Sequence, residues 1–135
     1  MDEVIATMHP HTPPRTLPLP LTLPPPNQVI AAIDGHEHKT VETVVVNTDR
    51  ATGARIAGAV AKKHGNRGWR GSLHVIFTGC AGQSFGAFCL DGLDLEVRGD
   101  ANDYVGKSLH GGRIRIVTND EVGFVPTECS ITSLE

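Results

Sequence analysis

A chain of 135 residues has room for one domain at most. Its 39% hydrophobic content includes only six aromatic residues, so any core is built from Val, Ile, Leu and Ala, which suits a narrow solenoid better than a bulky sandwich. A formal charge of −3 and a pI near 6.1, with no basic run longer than Lys62-Lys63, leave no electrostatic footprint for nucleic acid.

The N-terminus, Met1-Asp-Glu-Val4, lacks the basic region of a secretory signal. Residues 10–26 hold eight of the nine prolines and read as an extended, polyproline-like tract. Leu17-Pro-Leu-Pro-Leu21 cannot make a transmembrane helix, because proline removes amide donors throughout it. Residues 1–27 therefore read as a flexible Pro-rich arm, a linker in preference to a ligand for a proline-reading domain. Residues 28–135 read as the folded domain. Three cysteines, Cys80, Cys89 and Cys129, without a Cys-x-x-Cys pair, argue against a disulfide framework and for a reducing, cytoplasmic compartment. Nothing near Cys80 or Cys89 supplies the electropositive, exposed setting that a reactive thiol needs.

From Gln28 to Ile33 a short helix or strand is expected before the turn Asp34-Gly35. The β-branched run Thr43-Val-Val-Val46 predicts a strand. After it, Asn47, Thr48 and Asp49 offer N-cap side chains for a helix over 50–63. That helix aligns Ala54, Ala57 and Ala61, with Ile56 and Val60 alongside, and stops at Lys62-Lys-His-Gly65. Gly53 and Gly58 each cost about 1 kcal/mol of helix propensity relative to Ala, so both are expected to permit close packing of the helix on the first coil.

Downstream the chain repeats itself with a period of twenty residues. Gly79, Ala81, Gly86 and Gly92 recur as Gly99, Ala101, Gly106 and Gly112, and the apolar alternation Leu73, Val75, Phe77 recurs as Leu93, Leu95, Val97. Each strand is followed by a long glycine-punctuated excursion rather than a two-residue turn, which favours stacked parallel strands over hairpins. In the third run, Arg113-Ile-Arg-Ile-Val117, strict spacing would turn Arg113 and Arg115 inward. A one-residue slip at Gly111-Gly112, with Ile114 and Ile116 inward, is expected instead.

These residues also resemble a known family. Gly82-Gln-Ser-Phe-Gly-Ala-Phe88, Gly99-Asp-Ala-Asn-Asp-Tyr-Val-Gly-Lys107 and Gly111-Gly-Arg-Ile114 are similar to the glycine-repeat (GXGXG) domain at the C-terminus of the large subunit of glutamate synthase. Asn47-Thr-Asp-Arg-Ala-Thr-Gly53, Gly58 and Lys62-Lys-His-Gly-Asn66 resemble that family's first strand and helix, so the likeness is strongest over 43–125. The resemblance implies a mainly β fold: a right-handed parallel β-helix preceded by a strand and one α-helix, here truncated at the C-terminus.

What the resemblance implies for function is architectural. Asn47, Asp49, Arg50, Gly53, Gly79, Gly82, Gln83, Ser84, Phe85, Gly86, Gly92, Gly99, Asp100, Asn102, Asp103, Tyr104, Gly106, Lys107, Gly111 and Gly112 carry the motif. The glycines serve as corners, and Asn102 and Asp103 as side chains that stabilise turns. No residue is assigned a catalytic, cofactor-binding or metal-binding role. The FMN and iron–sulfur cluster of the resembling enzyme belong to a partner domain whose cysteine ligands are absent here. Cys80 stands where the resembling family carries a small residue such as Ser, which implies a buried, inert thiol. The chain is then a non-catalytic scaffold domain or fragment of a glutamate-synthase-like oxidoreductase of glutamate biosynthesis, bracing amidotransferase and FMN-binding domains. The alternative is a stand-alone β-helix assembly module. No activity is expected of the chain alone.

Several patterns are set aside. Ala101–Ser108 approaches a phosphate-binding loop, but Ala101 stands where glycine is needed, and Leu109-His-Gly-Gly112 occupies the place where a helix must begin. Asp100, Asn102 and Asp103 lack the glycine and the final glutamate of a calcium loop. His9/His11 and His36/His38 have no third ligand fixed by spacing. Asp91, Asp94 and Glu96 have no recognisable acid–base partner, and the last two read as an outward strand face. The pattern fades after Asn119, leaving Phe124-Val-Pro126 and Cys129–Thr132 to cover the last strand. Self-association, or a protein partner at that end, is the expectation.

Overall fold

The computed structural model describes residues 26–118 and Val125. In chain order these form α1 (Pro26–Asp34), β1 (His38–Val45), α2 (Ala54–His64), β2 (Ser72–Ala81), β3 (Leu93–Ala101) and β4 (Arg113–Val117). The strands make one parallel sheet in the order β1-β2-β3-β4. The described residues are thus mainly β, with two helices. The Pro-rich arm up to residue 25, the fading C-terminal stretch and Cys129 lie outside the described residues.

The register obeys the repeat. Leu73 lies opposite Leu93, Val75 opposite Leu95, Phe77 opposite Val97 and Gly79 opposite Gly99, a constant offset of twenty. The six apolar side chains are essentially inaccessible and form the centre of the core. From β3 to β4 the offset is nineteen, so Ile114 faces Leu95 and Ile116 faces Val97, and both pack against the core. Arg113 and Arg115 point to the other face. The slip can be located: His110 and Gly111 N–H both donate to the Cys89 carbonyl (2.9 and 3.1 Å), after which the register has shifted. Gly111-Gly112 absorbs it, as the sequence requires if charge is to stay out of the core.

Two expectations are corrected at the start of the fold. The first strand does not precede the sheet; β1 is its edge, spanning His38–Val45, with Val41 opposite Val75 and Val45 opposite Gly79. Among the described residues there are also two helices rather than one. α1 begins at Pro26, where a residue without an amide hydrogen suits the first turn, and it buries Val29, Ala32 and Ile33 at helical spacing. It docks on the end of α2 through an ion pair between Lys63 and Asp34 and a hydrogen bond between His64 Nε2 and the Ile33 carbonyl (2.8 Å).

α2 starts four residues later than the capping side chains suggest. Asp49 does not cap it; its carboxylate accepts a bond from Val46 N–H (3.0 Å), closing a turn, and the residue before the helix is Gly53 at φ +96°, with no side-chain cap. The helix packs Ile56, Ala57 and Val60 on the core and ends at Gly65, whose N–H donates to the Ala61 carbonyl (2.9 Å). Gly53 does sit in close contact, since a Cβ there would lie 2.6 Å from Leu95 Cδ1. Gly58 does not: it is exposed, and a Cβ would meet nothing within 4 Å.

These contacts set the cost of added side chains. Gly99 has φ +145°, and a Cβ there would run into the Gly79 carbonyl oxygen, a backbone atom that cannot step aside, whereas at Gly106 (φ +70°) the nearest atom is the movable end of Ile114 at 3.4 Å. Gly99→Ala is expected to cost about 3 kcal/mol or more and Gly106→Ala about 1 kcal/mol, so equal losses in chemical denaturation would contradict this packing. Gly58→Ala is expected to stabilise the chain by about 1 kcal/mol, read as a raised thermal midpoint.

Candidate functional site

Most residues of the glycine motif come together at one end of the sheet, where three turns stack. Ala51, Ser84 and Tyr104 occupy equivalent places, all with left-handed backbones (φ +51°, +63° and +64°), and so do Gly53, Gly86 and Gly106. Amide bonds between turns continue the ladder beyond the strands. Ala51 N–H donates to Gln83, Ser84 N–H to Asp103, Gly86 N–H to Thr52 and Gly106 N–H to Phe85, at 2.8–2.9 Å. Asn47 and Asp49 lie over Gly82, where a Cβ would fall 2.6–2.7 Å from their carbonyl oxygens. The interior of the stack is Phe85, packed edge-on against Phe77 with centroids 5.4 Å apart. The buried Thr52 donates to the Asp49 carbonyl (3.1 Å).

The remaining motif residues divide between this end and the opposite one. Gln83 joins the stack through its carbonyl, and Arg50 is exposed. Asn102 N–H donates to the Ala81 carbonyl (2.9 Å), and Asp100 Oδ1 accepts from Ala101 N–H (2.7 Å). Lys107 lies over the Tyr104 ring, its Nζ 5.8 Å from the centroid, and the chain runs from there into β4 rather than into a helix. Gly92 and Gly112 stand at the opposite corner, before β3 and β4, with φ +90° and +82°, and Gly111 abuts the Asp91 carboxylate. His36 Nδ1 accepts from Arg70 N–H (3.1 Å) and His38 Nδ1 bonds Ser72 Oγ (2.7 Å). Cys80 is half-buried rather than buried; Cys89 is the inaccessible thiol, and burial pushes its pKa up to about 11. The arrangement offers backbone contacts and packing, with its polar groups turned to one another.

One cluster escaped sequence reasoning. Asp94 and Glu96 do lie on the outer face of the sheet, but Glu96 is only 5% exposed and neither is solitary. Arg115 of β4 grips Asp94 through both carboxylate oxygens, Nε to Oδ1 at 3.2 Å and Nη2 to Oδ2 at 3.0 Å, and also reaches Glu96 Oε2 (3.1 Å). His74 Nε2 lies 3.2 Å from the same oxygen, and Arg98 Nε donates to Oε1 (2.8 Å). The signal was present as spacing: His74 and Asp94 are one period apart, and the slip brings Arg115 opposite Glu96.

This network has a pH consequence. The Arg98 hydrogen bond first, then that of His74 and the charge of Arg115, hold the Glu96 carboxyl below the usual carboxylate range against the opposing effect of burial. A carboxyl with a lowered folded-state value contributes stability above its unfolded value, near pH 4.5, and loses it as pH falls through the folded value. Glu96→Gln is therefore expected to cost about 2 kcal/mol at pH 7 and to flatten the acid limb of the stability curve, which urea denaturation between about pH 7 and pH 3 would test.

Comparison with known proteins agrees with this layout. The family model described as "GXGXG motif" matches residues 26–133. Ferredoxin-dependent glutamate synthase 2 of Synechocystis sp. is 51% identical over 94 residues, 67% of this chain and 6% of that protein. The ferredoxin-dependent glutamate synthase of Cyanidium caldarium is 47% identical over 102 residues, 76% of this chain and 7% of that protein. Ferredoxin-dependent glutamate synthase 1 of Arabidopsis thaliana is 44% identical over 105 residues, again 76% of this chain and 6% of that protein. The chain thus spans a small fraction of the length of the curated relatives it matches. With its stacked glycine corners and these relatives, the chain belongs to the GXGXG motif family and corresponds to the GXGXG domain of glutamate synthases.

Proposed function

We propose that this chain is a non-catalytic structural module of a glutamate-synthase-like oxidoreductase, bracing amidotransferase and FMN-binding domains carried elsewhere. The observation that carries this reading is how the motif is used. Its glycines abut neighbouring backbone or make positive-φ corners, and its turns bond one another, so the motif's hydrogen-bonding groups are spent on stacking rather than aimed at a cleft. Among the described residues no group of three or more His, Cys, Asp or Glu side chains is placed to hold a metal, and no helix is long and apolar enough to cross a membrane.

The same reading extends the parallel sheet and its stacked turns into a right-handed parallel β-helix. The β1-α2-β2 connection joins parallel neighbours in one sheet, a linkage that is right-handed in nearly all proteins. The boundary expected between residues 27 and 28 moves to Pro26, where α1 begins and the family match starts. FMN and the iron–sulfur cluster sit in the partner domain, and the free thiols of Cys80 and Cys89 suit the cytoplasm.

The purified chain is expected to release no ammonia from glutamine, to form no glutamate, and to leave the absorbance spectrum of added FMN unchanged. Ammonia release that a single substitution within the chain abolishes would overturn the structural reading.

A further inference from the structure

Beside α2 runs a groove of about 300 Å³, floored by Ala54, Gly58 and Ala61 and walled by Phe88, Leu90 and His110. Three independent features distinguish it from an ordinary surface depression. The first is Gly58. It weakens the helix, requires no special backbone angle, and makes no close contact that a methyl group would disturb, so nothing within the described residues accounts for the missing side chain. With Ala54 and Ala61 it forms a low strip at helical spacing, which lets a second helix axis come close.

The second feature is Phe88. Its backbone is left-handed at φ +60°, an uncommon and strained conformation for a bulky residue, yet the residue is 57% exposed. The equivalent place in the next turn is Ser108, at φ +55°, so the turn itself does not require an aromatic. Leu109 stands nearby, 52% exposed. Strain and solvent exposure are thus both accepted to hold an apolar wall beside the small-residue floor.

The third feature is charge. No carboxylate lines the groove and α2 carries none, while Arg55 and Lys62, one turn either side of Gly58, make no ion pair among the described residues. We propose that this groove is the docking site for an α-helix of another polypeptide, which lays a stripe of small apolar residues on Ala54, Gly58 and Ala61 against Phe88 and sets its own carboxylates beside Arg55 and Lys62. The docking site rests on the structural-module reading and gives one partner face its chemistry. A chain that lacks catalysis but binds no such helix would refute the groove alone.

The test uses the full chain, isotope-labelled for NMR, and a stapled helical peptide with Ala and Leu along one stripe and Glu on both flanks. A second peptide replaces every Glu by Lys. The acidic peptide is expected to shift the amides of Ala54–Ala61 and Phe88, to bind at least about tenfold more tightly than the basic one, and to weaken as salt is added. Gly58→Leu and Phe88→Asn are each expected to lower its affinity at least about tenfold without lowering the thermal midpoint, and Phe88→Asn, better suited to a left-handed backbone, keeps the test valid if Gly58→Leu fails to fold. Equal binding of both peptides, or shifts away from the groove, overturns the proposal. So does shielding of Gly58 and Phe88 from a soluble paramagnetic agent in the free chain, which would make the chain's own residues the occupant. So, finally, does a dimer in sedimentation that Phe88→Asn dissolves, which would make a second copy the occupant.

Discussion

The structure depends on how closely parallel strands approach where they leave the sheet. Val45, Gly79 and Gly99 lie one above another, and at both glycines a side chain would collide with the backbone carbonyl of the strand below. Parallel ladders keep their spacing whatever the side chains, so a corner directly over a corner leaves no room for Cβ. That constraint writes itself into the sequence as a period. The rest of the repeat obeys the same rule, because a residue held opposite its equivalent experiences the same burial, as Leu73 and Leu93 or Val75 and Leu95 do.

The slip before β4 is where this regularity yields to charge. Keeping the period would have pushed two guanidinium groups into a core of Leu, Val and Phe, at a desolvation cost far above that of one lost ladder contact. Gly111-Gly112 takes up the missing residue, and Arg115 gains Asp94 and Glu96 as partners. The same shift explains how a carboxylate such as Glu96 can be nearly inaccessible and still ionised. Three cationic or hydrogen-bonding groups converge on its two oxygens, so the carboxylate is satisfied rather than merely tolerated.

What the sequence made legible was whatever repeats. Twenty-residue spacing revealed the β2–β3 register, the inward Leu, Val and Phe residues and the turn of Ile114 and Ile116 toward the core. What it hid lay in the layer that departs from the period. Between β1 and β2 the offset is thirty-four, because α2 is inserted where the next layer has a short turn. Without an equal spacing, β1 looked like a separate strand. The start of α2 was hidden for a different reason: Asn47, Thr48 and Asp49 look like helix caps, but the turn they occupy must stack on Gly82–Gly86, and tertiary contact overrode local preference. The partners of Glu96 were invisible because they come from three strands, and only the register brings them together.

These features give the sheet an uneven strength along its length. β2 and β3 share nine ladder positions over inaccessible side chains, whereas β4 contributes five, and Ile114 and Ile116 remain partly exposed beside the more open Val117. With less apolar area to hold it, β4 leans on the Arg115 bridges, which weaken with salt and with acid. Among the described strands, opening is therefore expected to begin at β4, with the central strands keeping protection closer to the global value. In a stack whose layers touch only their neighbours, stability at an edge comes from whatever covers that edge. Among the described residues β4 is consequently the most responsive part of the sheet, and contacts made on its open side alter the stability of the sheet more than equal contacts made at the β2–β3 ladder.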